Sequence, residues 1–198
     1  MNKLLNFLSK YKVFVIISIV IILAAILLFL FYPPLKYLGS SKFNSGQYGI
    51  SFYLPKNFKE IENKVLIDRY NQAAKLGFTK TDSANASFII KIDDQAGKKN
   101  FDLNGSMEEL KKIFSEKLTD FNLLYMREST FDKMPCIETE YIYGILTDAS
   151  GNKQQTQQKQ IIFLKNEKLY WLIFASYPQD FARDNKDFNK ILETFKIE

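Results

Sequence analysis

Twenty consecutive residues near the start of the chain, Val13–Tyr32 (VFVIISIVIILAAILLFLFY), carry no charge, and their only polar groups are on Ser18 and Tyr32. At about 1.5 Å per residue a helix of that length spans roughly 30 Å, the thickness of the hydrocarbon core of a bilayer. A buried helix of a soluble protein would show a polar stripe, and none is present. A cleaved signal peptide would have a shorter apolar core and small residues at its cleavage site. Here bulky Phe29–Tyr32 run straight into Pro33-Pro34, and no cysteine stands directly after the run to accept a lipid. The run is therefore expected to be a retained transmembrane signal anchor. Lys3, Lys10 and Lys12 precede it, whereas Lys36 and Lys42 follow, so the charge bias favours an N-terminus inside and residues 33–198 outside. It holds no ionisable residue and no glycine-based small-xxx-small pattern, so conduction or helix pairing has no support.

Composition narrows the remainder. The net charge of +5 is concentrated in residues 1–41, which hold four lysines and no acid. Without those four, 23 basic residues face 22 acidic ones, a net of about +1, and a nucleic-acid-binding surface loses its main support. The single cysteine, Cys136, rules out an intramolecular disulfide. There is no histidine, which removes the usual acid–base group at neutral pH and the commonest metal ligand.

Residues 33–47 (PPLKYLGSSKFNSGQ) read as a spacer. In 48–55 Ile50, Phe52 and Leu54 alternate as in a strand that ends at Pro55. Strands are also expected at Lys64–Tyr70 (Val65 and Ile67 on one face), Leu76–Thr81 and Ala86–Asp93. After a loop over Asp94–Gly105, Ser106-Met-Glu-Glu109 reads as a capping box. Leu110, Ile113, Phe114, Leu118 and Phe121 follow at near-helical spacing. Asn122–Glu128 and Cys136–Thr147 are strand-like, Asp148–Asn152 is a hairpin turn, and a glutamine-rich arm (Lys153–Gln160) leads into apolar Ile161–Leu164. Leu169–Tyr177 (LYWLIFASY) is apolar on both faces, as befits a central strand. Asp184 is expected to cap a last helix carrying Phe188, Ile191, Leu192 and Phe195 on one face. That order predicts an α+β domain: one antiparallel sheet with helices on both faces.

The opening YGISFYLPKNFKE, the helix SMEELKKIFSEKL, the segment FDKMPCIETEYIY and the ending KLYWLIFASYPQDF…FNKILETFKI together resemble the PsbP-like domain. That is the fold of the photosystem II extrinsic subunit and of bacterial membrane-anchored or lipoprotein relatives. The resemblance covers about residues 47–198 and implies an α-β-α sandwich, generally non-catalytic, used for docking at a membrane. The chain departs from the family at Lys133-Met134, where a turn glycine is common. The photosynthetic role does not follow, since fold does not fix function.

Few residues have the makings of chemistry. Cys136 lacks a histidine to activate it, so papain- and sortase-type catalysis is excluded, and it reads as a buried thiol. Of the carboxylate pairs, Asp93-Asp94 point to opposite faces of a strand, and Glu108-Glu109 belong to the capping box. Glu138 and Glu140 share a face that reads as the wet side of an edge or hairpin. Asp102-Leu-Asn104-Gly105 faintly echoes a calcium loop, but Phe114 falls roughly where its glutamate belongs. A Ser–Lys dyad needs no histidine, yet Ser106 and Ser115 are better explained as a cap and a helix-surface residue. The glutamine arm has the groups to recognise glycan or peptide, and Tyr141, Tyr143, Tyr170 and Trp171 those to stack on sugar, although a solvated arm and core aromatics are the plainer readings.

The expectation is then a short cytoplasmic tail (1–12), an anchor (13–32), a linker (33–47) and an extracytoplasmic PsbP-like domain (48–198). It is expected to act as a binding or assembly module without catalytic, cofactor or metal residues, docking on an envelope protein or ligand and not on nucleic acid. A cell-envelope hydrolase and a one-pass accessory sensor subunit are the alternatives.

Overall fold

The computed structural model describes residues 17–23, 39–70, 72–83, 85–94, 102–147 and 153–198 (backbone only at 69, 145–147 and 153). The expected tail, most of the anchor, the start of the linker and the hairpin tip at 148–152 lie outside them. Residues 17–23 are helical, and the aliphatic side chains from Ile17 to Leu23 are at least half exposed. Among the described residues no helix is long and apolar enough to cross a membrane. The chain divides into Met1–Ser40 and Ser41–Glu198, and the second unit is the folded domain.

Its elements are β1 (Ser40–Ser45), β2 (Ile50–Pro55), β3 (Phe58–Glu60), α1 (Asn63–Tyr70), β4 (Ala74–Lys80), β5 (Ser87–Asp93), α2 (Leu103–Lys117), β6 (Thr119–Phe131), β7 (Met134–Thr147), β8 (Lys153–Lys165), β9 (Lys168–Ser176), α3 (Pro178–Thr194) and β10 (Lys196–Ile197). Seven strands form an antiparallel sheet in the order β3-β4-β5-β9-β8-β7-β6, and β1, β2 and β10 form a second, small sheet.

The doubly apolar run lies at the centre of the large sheet, as its composition requires. Tyr170, Leu172 and Phe174 of β9 face a core shared with β2 and α3, while Trp171 and Ile173 face the other side. The first core is built on phenylalanine. Phe52, Phe78, Phe88, Phe163, Phe174 and Phe188 are at most 1% exposed, and Phe52 touches the rings of Phe43, Phe78, Phe88 and Phe195. The opposite face carries two smaller clusters, one under α2 (Leu110, Phe114, Ile137, Tyr141, Ile162) and one under α1 (Leu66, Ala74, Ile89, Ile173). Helices thus cover both faces in an α+β domain.

Four local expectations are corrected. Lys64–Tyr70 is helix α1, not a strand. Val65 and Ile67, whose alternation suggested a strand, are exposed; Leu66 and Tyr70, one helical turn apart, face the core. Gly77 makes room for that helix, because a Cβ there would lie 2.5 Å from Leu66 Cδ1. Helix α2 begins one turn before Ser106: Asp102 is the N-cap and accepts from Gly105 N at 3.0 Å, so the stretch that echoed a calcium loop is a cap. Asp184 is not a cap either, since α3 already begins at Pro178, whose missing N–H costs nothing in a first turn. Part of the expected spacer is strand β1, which sets Phe43 against Phe52 and Phe78.

Two of the hairpin turns, β6–β7 and β8–β9, are tight without glycine. Asp132-Lys133 and Asn166-Glu167 all have positive φ, at 47°, 66°, 50° and 62°. Phe131 pairs directly with Met134 across the first turn, so the missing family glycine does not loosen it. Positive φ at both central residues is the type I′ pattern, and a side-chain-bearing residue there costs about 1 kcal/mol. Lys133→Gly is therefore expected to raise stability by about 0.5–1 kcal/mol. An unchanged or lower urea midpoint would refute this. At the edge of the large sheet, β6 pairs with β7 through register shifts between Thr119 and Asn122 and between Leu123 and Tyr125.

Candidate functional site

Side chains on a strand alternate, so alternate residues of β8 share the face under α1 and α2. Gln154, Thr156, Gln158 and Gln160 occupy that face, and β7 sets Tyr141 opposite Gln158 and Tyr143 opposite Thr156. On the other flank β9 contributes Trp171, Ile173 and Ala175, the residue after it Tyr177, and β5 Ser87, Ile89 and Lys91. These residues form the floor of a groove of about 1010 Å³. Its walls are Ile61, Val65 and Tyr70 on one side and Ile113, Phe114, Lys117 and Leu118 on the other. Its depth comes from small residues: Ser87, Ala175 and Thr156 lie where β5, β9 and β8 cross its middle.

The glutamine arm is part of this groove, not a solvated appendage. Gln160 is 3% exposed and donates to Tyr141 Oη at 2.6 Å; Gln158 donates to the same oxygen at 2.8 Å. Tyr143 Oη donates to Gln158 Oε1 at 3.1 Å, and Tyr177 Oη to Gln154 Oε1 at 2.8 Å. Burial pushes the Tyr143 phenol up to about 12, aided by Tyr70, and burial raises Tyr141 further. Both phenols thus keep their protons at any physiological pH. Burial also lowers the Lys91 ammonium, which has no acidic partner among the described residues.

Of the four aromatics considered as a stacking face, Tyr141, Tyr143 and Trp171 line the groove. Tyr170 does not: it stacks on Phe163 in the opposite core, because neighbours on a strand face opposite ways. Alternation held the clue, since the register across the β7–β8 hairpin sets Tyr141 opposite Gln158 and Tyr143 opposite Thr156, on the face that Gln160 shares.

The other chemical candidates lie elsewhere. Cys136 is 1% exposed, and burial raises its thiol, the opposite of activation. A native thiol probe should label it slowly and denatured protein should label at once; equal rates would contradict the burial. Glu138 is not on a wet edge. It is 9% exposed within interior strand β7, paired with Arg127 at 2.6 Å and Lys159 at 2.8 Å. Burial alone would raise its carboxyl, but the hydrogen bonds and charges of Lys159 and Arg127 hold it low. Asp94 pairs with Lys168, and Glu108 and Glu109 are exposed on α2. Ser115 Oγ donates to Lys112 O within its own helix. Lys80 has serine nearby, because Ser83 and Ser176 share Asp184 with it. Burial opposes its charge, yet Asp184 and Asp187 keep that ammonium protonated, so it has no lone pair to act as a base. Among the described residues no group of three or more acids, histidines or cysteines is placed to hold a metal.

No protein-family model matches the chain, and no curated protein matches it in sequence. Solved structures do. Cyanobacterial PsbP (CyanoP) of Synechocystis superposes with a TM-score of 0.59 at 11% identity, over 81% of this chain and 93% of that one. LpqN of Mycobacterium tuberculosis, described as involved in cell envelope biogenesis, gives 0.52 at 14% identity over 80% and 90%. A Pseudomonas aeruginosa protein of unknown function, termed a putative regulator, gives 0.51 at 10% identity over 78% and 94%. At these identities the likeness establishes the fold alone: the domain has a PsbP-like fold.

Proposed function

We propose that this chain is a membrane-tethered, extracytoplasmic binding module that takes an envelope partner or ligand in the groove between α1 and α2. The groove carries the reading: amides and phenols line its floor beside Trp171 and Lys91, and one of those amides is left without its full set of partners. Such a surface is equipped for recognition. The unbroken apolar run Val13–Tyr32 and the lysine bias before it support the tether and its direction. LpqN, with a related fold, is linked to the cell envelope, which is in keeping with that placement.

Two experiments test the two halves. External protease on intact cells should release the 41–198 domain and leave the apolar segment in the membrane. A domain that stays protected until the membrane is broken would overturn the topology. A photo-crosslinking residue at Asn85, on the groove rim, should capture a partner in intact cells, whereas one at exposed Lys186 on α3, across the sheet, should not. Equal capture from both positions, or capture from Lys186 alone, would remove the groove as the docking face.

A further inference from the structure

The groove floor holds a buried polar atom with nothing to bind. Among the described residues two buried side-chain oxygens lack a hydrogen-bond partner, Gln160 Oε1 and Asn185 Oδ1, and only Gln160 belongs to the groove lining. Leaving such an atom unpaired costs on the order of 1–3 kcal/mol, so it is retained where something else fills it. Turning the amide over does not remove the vacancy. A phenol both donates and accepts, so Tyr141 can satisfy either end of Gln160, and the other end is then left unpaired. A ligand group that serves either orientation must itself both donate and accept, as a hydroxyl does through a single atom.

The rest of the floor narrows the class. Strands β5, β9, β8 and β7 are interior to the sheet, so their backbone groups are committed to their ladders, and an extended peptide finds no edge to join here. The walls are apolar at Ile61, Val65, Ile113, Phe114 and Leu118, but an acyl chain laid on the floor would cover Gln154, Thr156 and Gln158 without offering them a hydrogen bond. Lys59, Lys91 and Lys117 face Glu60 and Glu62, a net of about +1, so no concentrated basic surface invites a polyanion. What remains is planar amide and phenol groups, beside the indole of Trp171 and the small floor residue Ala175. We infer that the groove binds a carbohydrate, with one sugar hydroxyl seated between Gln160 and Tyr141. This deepens the binding-module reading and rests on it.

Trp171 is the only tryptophan of the chain and lines the groove, so its fluorescence reports occupancy directly. The full chain in lipid nanodiscs, free of sugar-based detergent, is titrated with chitotetraose, maltotetraose and tetragalacturonate, and with trialanine and inorganic phosphate as contrasts. At least one saccharide should change the emission saturably below millimolar concentration, while both contrasts leave it unchanged. Gln160→Leu should weaken that binding at least tenfold and leave the melting temperature equal or higher, because it deletes an unpaired polar atom. A purely structural Gln160 would give the reverse: a lower melting temperature and unaltered affinity. Silence with all three saccharides, or a response to the contrasts alone, overturns the carbohydrate assignment. Partner capture from Asn85 would in that case still stand, and would separate this failure from failure of the binding-module reading.

Discussion

Asp184→Ala should be the most damaging single substitution in the domain, lowering stability by about 3–5 kcal/mol, because it strips a buried lysine of its closest counter-charge. The Asp184 carboxylate is fully buried within α3, and both its oxygens are used. Oδ1 accepts from Lys80 Nζ at 2.8 Å and Arg183 Nε at 3.0 Å, and Oδ2 from Ser83 Oγ at 2.6 Å and Ser176 Oγ at 2.8 Å. Four groups from β4, the turn after it, β9 and α3 thus converge on one residue. Burial pushes this carboxyl up, but hydrogen bonds from Arg183, Lys80, Ser83 and Ser176 outweigh it and hold it far below the usual carboxylate range; Asp187 is lowered in the same way. A lowered carboxyl contributes stability that is complete above its unfolded value, near 4, and is lost as pH falls through the folded value. Lys80 is raised, so its share is complete below about 10.4 and is lost as pH climbs through its folded value. The wild type should accordingly lose stability below pH 4, and Asp184→Asn should flatten that acid limb. Urea unfolding at pH 7 and pH 3 measures both. Lys80→Met with Asp184→Leu should recover most of the loss at pH 7, since an apolar replacement avoids stranding a charge. A single variant within 1 kcal/mol of wild type would show that the cluster is dispensable.

Phe52→Ala is expected to cost about 3–5 kcal/mol. Phe52 is 1% exposed, and its ring joins Phe43 of β1, Phe78 and Phe88 of the large sheet, and Phe195 at the end of α3, with centroids 5.0–5.8 Å apart. Truncating it opens a cavity at the seam between the two sheets. Phe43 shares that seam, so a fragment starting at residue 48 should melt lower than one starting at residue 41. Equal melting would return β1 to the role of a passive spacer.

Where the pattern was local, the sequence could be read. Residues 169–177 announced a central strand by being apolar on both faces, and Ile50, Phe52 and Leu54 announced β2 by alternation. Where a residue answers to a distant partner, local reading failed. Asp184 resembles a cap because aspartate commonly caps helices, and its true partner Lys80 lies 104 residues away. Helix α1 was hidden because exposed Val65 and Ile67 imitate a strand, while buried Leu66 depends on the space above Gly77. The groove was half legible. Its glutamines and tyrosines stood out, but which of them converge is decided by the register of β7 against β8 and by helices placed from elsewhere in the chain.

The uneven pairing of β6 bears on how copies of this chain meet one another. A strand of 13 residues at the rim of a sheet leaves one row of amides and carbonyls open, a template on which a second copy could extend the sheet without limit. Two register shifts and the positive φ of Asp120 break that row into short pieces and twist them out of line. Arg127 and Glu128 set charges in its middle. The other rim, β3, is only three residues long and offers little to extend. Such edges keep neighbours apart, so molecules held close together can remain single, each with its own groove free.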